Sequence, residues 1–205
     1  MKINAKECCV EGYPQAKRAS ALGADRVELC ENLAEGGTTP SYGAVKLSVE
    51  LLSAKVAVML RPRGGNFVYT PDEYQCMRED LLVLKELQPD VFVFGFLQTD
   101  RELDRERIQE FVALADPIPV TFHMAFNQVP DQKEAIDFLA EIGVKRILTS
   151  GREGKAPDHL SHLRDLIEYA GDLIIVMPGA GVRADNLVEI HKNLQAKEYH
   201  GTKIV

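Results

Sequence analysis

The feature that most constrains this chain is a regular alternation of short β-rich runs with helical stretches. Eight runs stand out: Lys6–Val10, Arg26–Cys30, Val56–Arg61, Val91–Leu97, Val120–His123, Arg146–Thr149, Leu173–Met177 and Glu198–Gly201. Most are separated by roughly 20–35 residues, enough for a helix that returns the chain parallel to its previous strand. The intervening segments carry helix signals. Thr70-Pro71-Asp72-Glu73 offers a capping Thr, Pro at the first helical position and Glu at the third. Tyr74, Met77, Leu81 and Leu84 then follow at helical spacing. Thr39-Pro40 is expected to open a second helix in the same way, and Asp131 a third, with Ile136, Phe138, Leu139 and Ile142 behind it. Gly23 and Gly143 stand where helices should stop. A weak repeat agrees: Leu22 to Glu28 and Ile142 to Leu148 both run from a helix end through Gly into the next strand.

Eight such strands predict an α/β fold of the TIM type, a (β/α)8 barrel in a single domain spanning residues 1–205. The competing architecture, a doubly wound open sheet, lacks its usual support, because no GxGxxG opens the first unit. Too few residues follow the eighth strand for an eighth helix. One side of the barrel should then be bare, which predicts a homo-oligomer.

Composition narrows the functions. Apolar residues make up 45% and charged residues 27%, as in a globular domain, and no apolar run has the roughly 18–20 residues of a membrane span. Met1 to Lys6 lacks the apolar stretch of a secretory signal, so a cytoplasmic location is expected. Net charge is −7 and the basic residues form no cluster, which argues against nucleic acid as a partner. The four cysteines, Cys8, Cys9, Cys30 and Cys76, contain no CxxC pair and no CxxC with a distant HxxxH, so no structural zinc site is expected.

In a barrel, function sits at the C-terminal strand ends and the loops that follow. Side chains alternate between interior and exterior along each strand. This alternation turns Glu7, Cys9, Glu28, Cys30, Arg61, His123 and His200 inward, with Cys8, Val10, Val27 and Leu29 facing the helices. Buried charges need partners, and the expected pairs are Glu28 with Arg61 and Glu7 with His123. The set is either an internal salt-bridge network or a site in which Glu7, Glu28, Arg61 and His123 are candidate catalytic groups. Cys9 and Cys30 follow glutamates in matching Glu-x-Cys frames on neighbouring strands about 4.8 Å apart. They are either two packed thiols or two soft donors for an ion such as Cu(I), with His123 or Met59 as a third. Arg61 would lower their pKa values, Glu7 and Glu28 would raise them, and sequence does not say which influence is larger. Gly179, Gly181 and Gly201 follow strands seven and eight, where many barrels hold phosphate. With Arg61, Arg63 and His200 at the same rim, they form a candidate site for a small anionic ligand.

These motifs also have a collective likeness. Arg26 to Cys30 (RVELC), Glu35 to Ser41 (EGGTTPS), Arg61 to Gly65 (RPRGG), Thr121 to His123 (TFH), Leu148 to Gly151 (LTSG) and Pro178 to Val182 (PGAGV) resemble the CutC copper-homeostasis family, in order and over nearly the whole chain. The resemblance implies a TIM-type barrel, a cytoplasmic protein linked to copper tolerance or trafficking, and Cys9 and Cys30 as Cu(I) ligands. No agreed enzymatic reaction comes with it. The chain departs from the family after strand five, where the usual Phe-His-Arg-Ala-Phe-Asp reads Phe-His-Met-Ala-Phe-Asn, placing Met124 and Asn127 where an arginine and an aspartate are usual. Three functions therefore compete: a Cu(I)-binding homeostasis protein, an enzyme acting on a small phosphorylated or carboxylated metabolite, and a scaffold that works through its oligomer interface.

Overall fold

The structure, a computed structural model, describes residues 2–205. Eight strands and seven α-helices alternate among these residues. The first four units are β1 (Ala5–Glu11), α1 (Gly12–Ala21), β2 (Arg26–Cys30), α2 (Tyr42–Leu51), β3 (Lys55–Met59), α3 (Pro71–Lys85), β4 (Val91–Phe94) and α4 (Arg105–Ala115). They are followed by β5 (Val120–Phe122), α5 (Gln132–Glu141), β6 (Arg146–Thr149), α6 (Leu160–Ala170), β7 (Ile175–Pro178), α7 (Leu187–Leu194) and β8 (Glu198–Gly201). All strand pairings are parallel, in the order β7-β6-β5-β4-β3-β2-β1-β8. The two end strands meet through a parallel bridge between Arg183 and Lys203, just past their C-termini, giving a nearly closed barrel of the TIM type. No helix follows β8 among the described residues.

Local chemistry explains the elements. Thr70 and Glu73 form a reciprocal capping box at α3, and the Asp131 carboxylate accepts from the Lys133 and Glu134 amides at α5. Gly23 and Gly143 end α1 and α5 at φ near +90°, a conformation that a Cβ would strain. The expected helix start at Thr39-Pro40 is corrected: Ser41 caps α2, accepting from the Ala44 amide. Thr39 is drawn elsewhere, because its hydroxyl accepts from the Arg61 amide at 2.9 Å and its own amide donates to the Arg61 carbonyl. Several strand ends also shift. β3, β4 and β5 stop at Met59, Phe94 and Phe122, and β7 begins at Ile175, so Arg61 and His123 lie in the loops just past their strands.

The alternation divides the core in two. Val10, Val27, Leu29, Phe92, Phe94 and Phe122 face the helices in one large apolar cluster. Inside the barrel a small cluster joins Cys9, Cys30, Ala57, Met59, Val91 and Val93, with Leu33 packed against it. The layer beneath this cluster is charged.

Candidate metal centre in the barrel interior

The lowest interior layer is an ion network at the N-terminal strand ends. Arg26, the first residue of β2, donates through Nε to Glu7 and through Nη2 to Glu198 at 2.6 Å. Arg146, the first residue of β6, donates to the same Glu198 oxygen at 2.7 Å. Glu7 and Arg26 are register partners on β1 and β2, and Glu7 faces His200 across β1 and β8. The Glu7 carboxyl is fully buried, and burial alone would raise its pKa. The charges of Arg26 and His200 and their hydrogen bonds outweigh that effect and hold it down at about 2.

Above this layer two overlapping donor triads share Glu28, one with Cys9 and Cys30 and the other with Glu7 and His200. His200 Nδ1 lies 2.9 Å from Glu7 Oε1, and His200 Nε2 lies 3.6 Å from Glu28 Oε2. The Cys30 thiol donates to Glu28 Oε2 over 3.7 Å. The donor atoms of Cys9, Glu28 and Cys30 lie within 4.8 Å of one another, as do those of Glu7, Glu28 and His200. Glu28 Oε1 is buried without a hydrogen-bond partner.

The electrostatics follow from burial and neighbours. Burial raises the Glu28 pKa, His200 opposes it, and Glu7 adds to it. Burial would depress His200, but the Glu28 charge and hydrogen bonds to Cys9 and Glu7 lift it well above an ordinary histidine. Cys9 is pushed well above a free thiol by its hydrogen bond to Cys30, by burial and by Glu28. For Cys30 the Cys9 hydrogen bond pulls down, yet burial and Glu28 leave it raised, at about 11. The balance that sequence left open therefore falls to burial and the glutamates. Arg61 does not lower the thiols, because its guanidinium is turned to the loops.

That orientation corrects both expected ion pairs. Arg61 does not meet Glu28. It donates through Nη1 to the carbonyls of Glu35 and Gly37 and through Nη2 to that of Gly65, and it stacks over Phe67. It thereby clamps the β2–α2 loop to the β3–α3 loop. The clamped loop roofs the thiols: a Cβ at Gly37 would come within 3.2 Å of Cys30 Sγ. His123 does not meet Glu7. Its ring lies 4.8 Å from Phe67, its Nδ1 accepts from the Ala125 amide, and its Nε2 is buried without a partner. Burial and then the Arg61 charge lower its pKa to about 3. His123 is thus in neither triad, whereas Met59 lies in the thiol cluster.

The remaining candidates occupy varied places. Arg63 is bound by Glu73 and by the carbonyls of Gly64, Asn66 and Val68. Gly179 sits against Leu148, Met124 and His200, Gly181 lies under the Lys155 side chain, and Gly201 runs so near the Val182 carbonyl that a Cβ would be 2.1 Å from it. Asn127 accepts from Thr149 and the Ser150 amide and donates to the Ser150 hydroxyl, fastening its turn to the end of β6. Sequence reasoning missed Arg26, Glu198 and Arg146 as site-supporting residues. The available signal was alternation, since Arg26 is two residues before Glu28 and Glu198 two before His200.

Comparison with known proteins identifies relatives over nearly the whole chain. The CutC family model matches residues 4–205. A CutC family protein of Enterococcus faecalis is 43% identical over 98% of this chain and 99% of its own length. The human copper homeostasis protein cutC homolog is 41% identical over 95% of this chain and 71% of its own. A crystal structure of CutC from Streptococcus agalactiae superposes with a TM-score of 0.94 at 40% identity, covering 99% of this chain and all of that one. An aldolase at 13% identity, with a TM-score of 0.69, shares the barrel fold alone. The chain belongs to the CutC family.

Proposed function

We propose that this protein serves copper homeostasis by binding Cu(I) as cargo through Cys9 and Cys30. The observation that carries the reading is the placement of two buried sulfurs within 4.8 Å of each other on adjacent strands. Thiolates are the soft ligands that Cu(I) prefers. The residues fit such an ion: an apolar wall of Ala57, Met59, Val91 and Val93 surrounds the thiols. Both thiols hold their protons at neutral pH without metal, so the ion must displace them. A Cu(I) titration against a chromophoric competitor under reducing conditions tests this. About one tight equivalent per chain is expected from the thiol pair, lost in the double variant Cys9→Ser, Cys30→Ser. Equal binding by both proteins would falsify the reading.

A cytoplasmic location and self-association belong to the same proposal. Among the described residues no helix is long and apolar enough to cross a membrane. The side without an eighth helix holds a groove of about 550 Å³ lined by residues such as Cys8, Val10, Leu22 and Val205, which a second copy would cover. Sedimentation as a monomer at micromolar concentration would remove the self-association. An enzyme acting on a phosphorylated or carboxylated metabolite is less favoured, because both Nη groups of Arg61 and most donors of Arg63 are taken by backbone carbonyls and Glu73.

A further inference from the structure

Among the donors Cys9, Cys30, Glu28 and His200, the Glu28 carboxylate is a poor Cu(I) ligand, whereas an imidazole serves Cu(I) and Zn(II) alike. A carboxylate and an imidazole beside two thiols make a mixed set suited to a borderline divalent ion. We propose that the barrel interior is also a Zn(II) site, with Cys9 Sγ, Cys30 Sγ, His200 Nε2 and one Glu28 oxygen as its four ligands.

The histidine carries much of the argument. His200 Nδ1 faces a carboxylate oxygen of Glu7 at 2.9 Å, and an ionised carboxylate can only accept, so Nδ1 bears a proton and donates it. Nε2 is then the atom offered to the cluster. A metal-binding histidine ordinarily has this arrangement, with its other nitrogen held by a carboxylate. Glu7 is held by Arg26, and Arg26 by Glu198, so the orienting partner is itself fixed. For the same reason Glu7 is not a ligand: Arg26 and His200 already occupy its oxygens.

Glu28 supplies an independent observation. Its Oε1 is buried with no partner, and its Oε2 has only long contacts, 3.6 Å to His200 and 3.7 Å to Cys30. Its one cationic neighbour, His200, stands beyond normal hydrogen-bond reach of Oε2, and Oε1 is open to a cation. Ligand bonds of roughly 2.0–2.3 Å at a tetrahedral ion place donors about 3.3–3.8 Å apart. The contacts around the ring from Cys30 through Glu28 to His200 already approach that spacing, and Cys9 is within 4.8 Å of both Glu28 and Cys30. On binding, the two thiol protons and the Nε2 proton of His200 leave to solvent. Cu(I) held by two thiolates, with His200 still protonated beside Glu28, has the same formal charge as Zn(II) held by all four groups. Charge therefore does not separate the ions, and ligand chemistry does.

The inference shares its cysteines with the copper reading but depends on Glu28, which makes the two separable. Metal-stripped, reduced protein is titrated with Zn(II) against a chromophoric chelator, and in parallel with Cu(I) against its own competitor. Glu28→Gln should weaken Zn(II) by on the order of 100-fold, at the upper end of what loss of an outer-shell partner costs, and leave Cu(I) within about threefold, since a carboxylate is a poor Cu(I) ligand. Wild type that fails to bind Zn(II), or Glu28→Gln that binds it as wild type does, overturns the inference whatever Cu(I) does. Zn(II) binding without Cu(I) binding overturns only the copper reading. Co(II) loading of the wild type guards against a variant that misfolds. Intense visible bands of a tetrahedral thiolate complex support the site, and the weak bands of an octahedral ion overturn it.

Discussion

The two halves of the barrel interior, both charged and both buried, differ in how their charges are satisfied. In the lower half, Arg26, Glu7, Glu198 and Arg146 are joined by short hydrogen bonds, and each carboxylate meets a guanidinium. In the upper half, Glu28 meets no guanidinium, keeps an orphaned oxygen, and shares its space with two protonated thiols. In the lower half both carboxylates are met by guanidinium groups and only Arg146 Nη1 lacks a partner, so removing a member leaves a buried charge. The upper half is held only by long contacts and keeps one carboxylate oxygen open, which a cation would fill. A charged barrel interior is thus two things stacked along one axis: a foundation that fixes His200 through Glu7, and a site that uses His200.

The largest expected effect would break the foundation. Arg26→Met leaves Glu7 and part of Glu198 without their cation. Breaking one partner of a buried pair costs about 3–5 kcal/mol, so the urea midpoint should fall accordingly. A loss below about 1 kcal/mol would show the network to be no more than a surface-type pair. Next comes the roof. Arg61→Ala removes three charge-assisted bonds to loop carbonyls, and a loss of roughly 2–4 kcal/mol is expected from bonds of this kind. Hydrogen exchange should accelerate over residues 33–41 and 63–68. Unchanged exchange there would separate the roof from Arg61.

A third effect depends on pH. His123 lies outside both halves, buried and neutral, with its pKa lowered to about 3. The unfolded chain takes up a proton near 6.5 while the native state does not until about 3. The stability is therefore complete above pH 6.5 and declines as pH falls from there toward 3. Between pH 6.5 and 4.5 the loss is about 2–3 kcal/mol at 1.36 kcal/mol per unit. His123→Phe should lack this component, so the difference between the two proteins must change across that window. A constant difference would mean that the histidine charges in place.

How far sequence reached follows the same division. Strand alternation placed Cys9, Glu28, Cys30 and His200 inward because the period of two survives any detail of packing. It put Glu198 on the face of His200 too, and would have placed Arg26 inward had the reading extended below the mouth. The partners of Arg61 and His123 were beyond it. They depend on the path of the loops, where Gly36 and Gly37 at positive φ and the Phe67 ring are set by tertiary contacts with no periodic signature. Thr39-Pro40 misled for the same reason: a hydroxyl that suits a helix cap was taken by the Arg61 amide.

The smallest expected effect sharpens the contrast from the other side. Glu28 is buried, its pKa is raised by burial, and one oxygen has no partner, so its ionised form is a burden on the metal-free fold. Gln has the same shape without the charge, and its amide can donate toward the sulfur of Cys30 or Cys9. Glu28→Gln should therefore leave the metal-free protein within about 1 kcal/mol of wild type or slightly more stable, in the manner of a buried charge replaced by a neutral isostere. The measurement is the denaturant midpoint at pH 7 with a chelator present, for Glu28→Gln beside Arg26→Met. A Gln variant as damaged as the Met variant would mean that Glu28 belongs to the foundation. Its His200 contact would then be a structural ion pair, and the interior would be one network without a division.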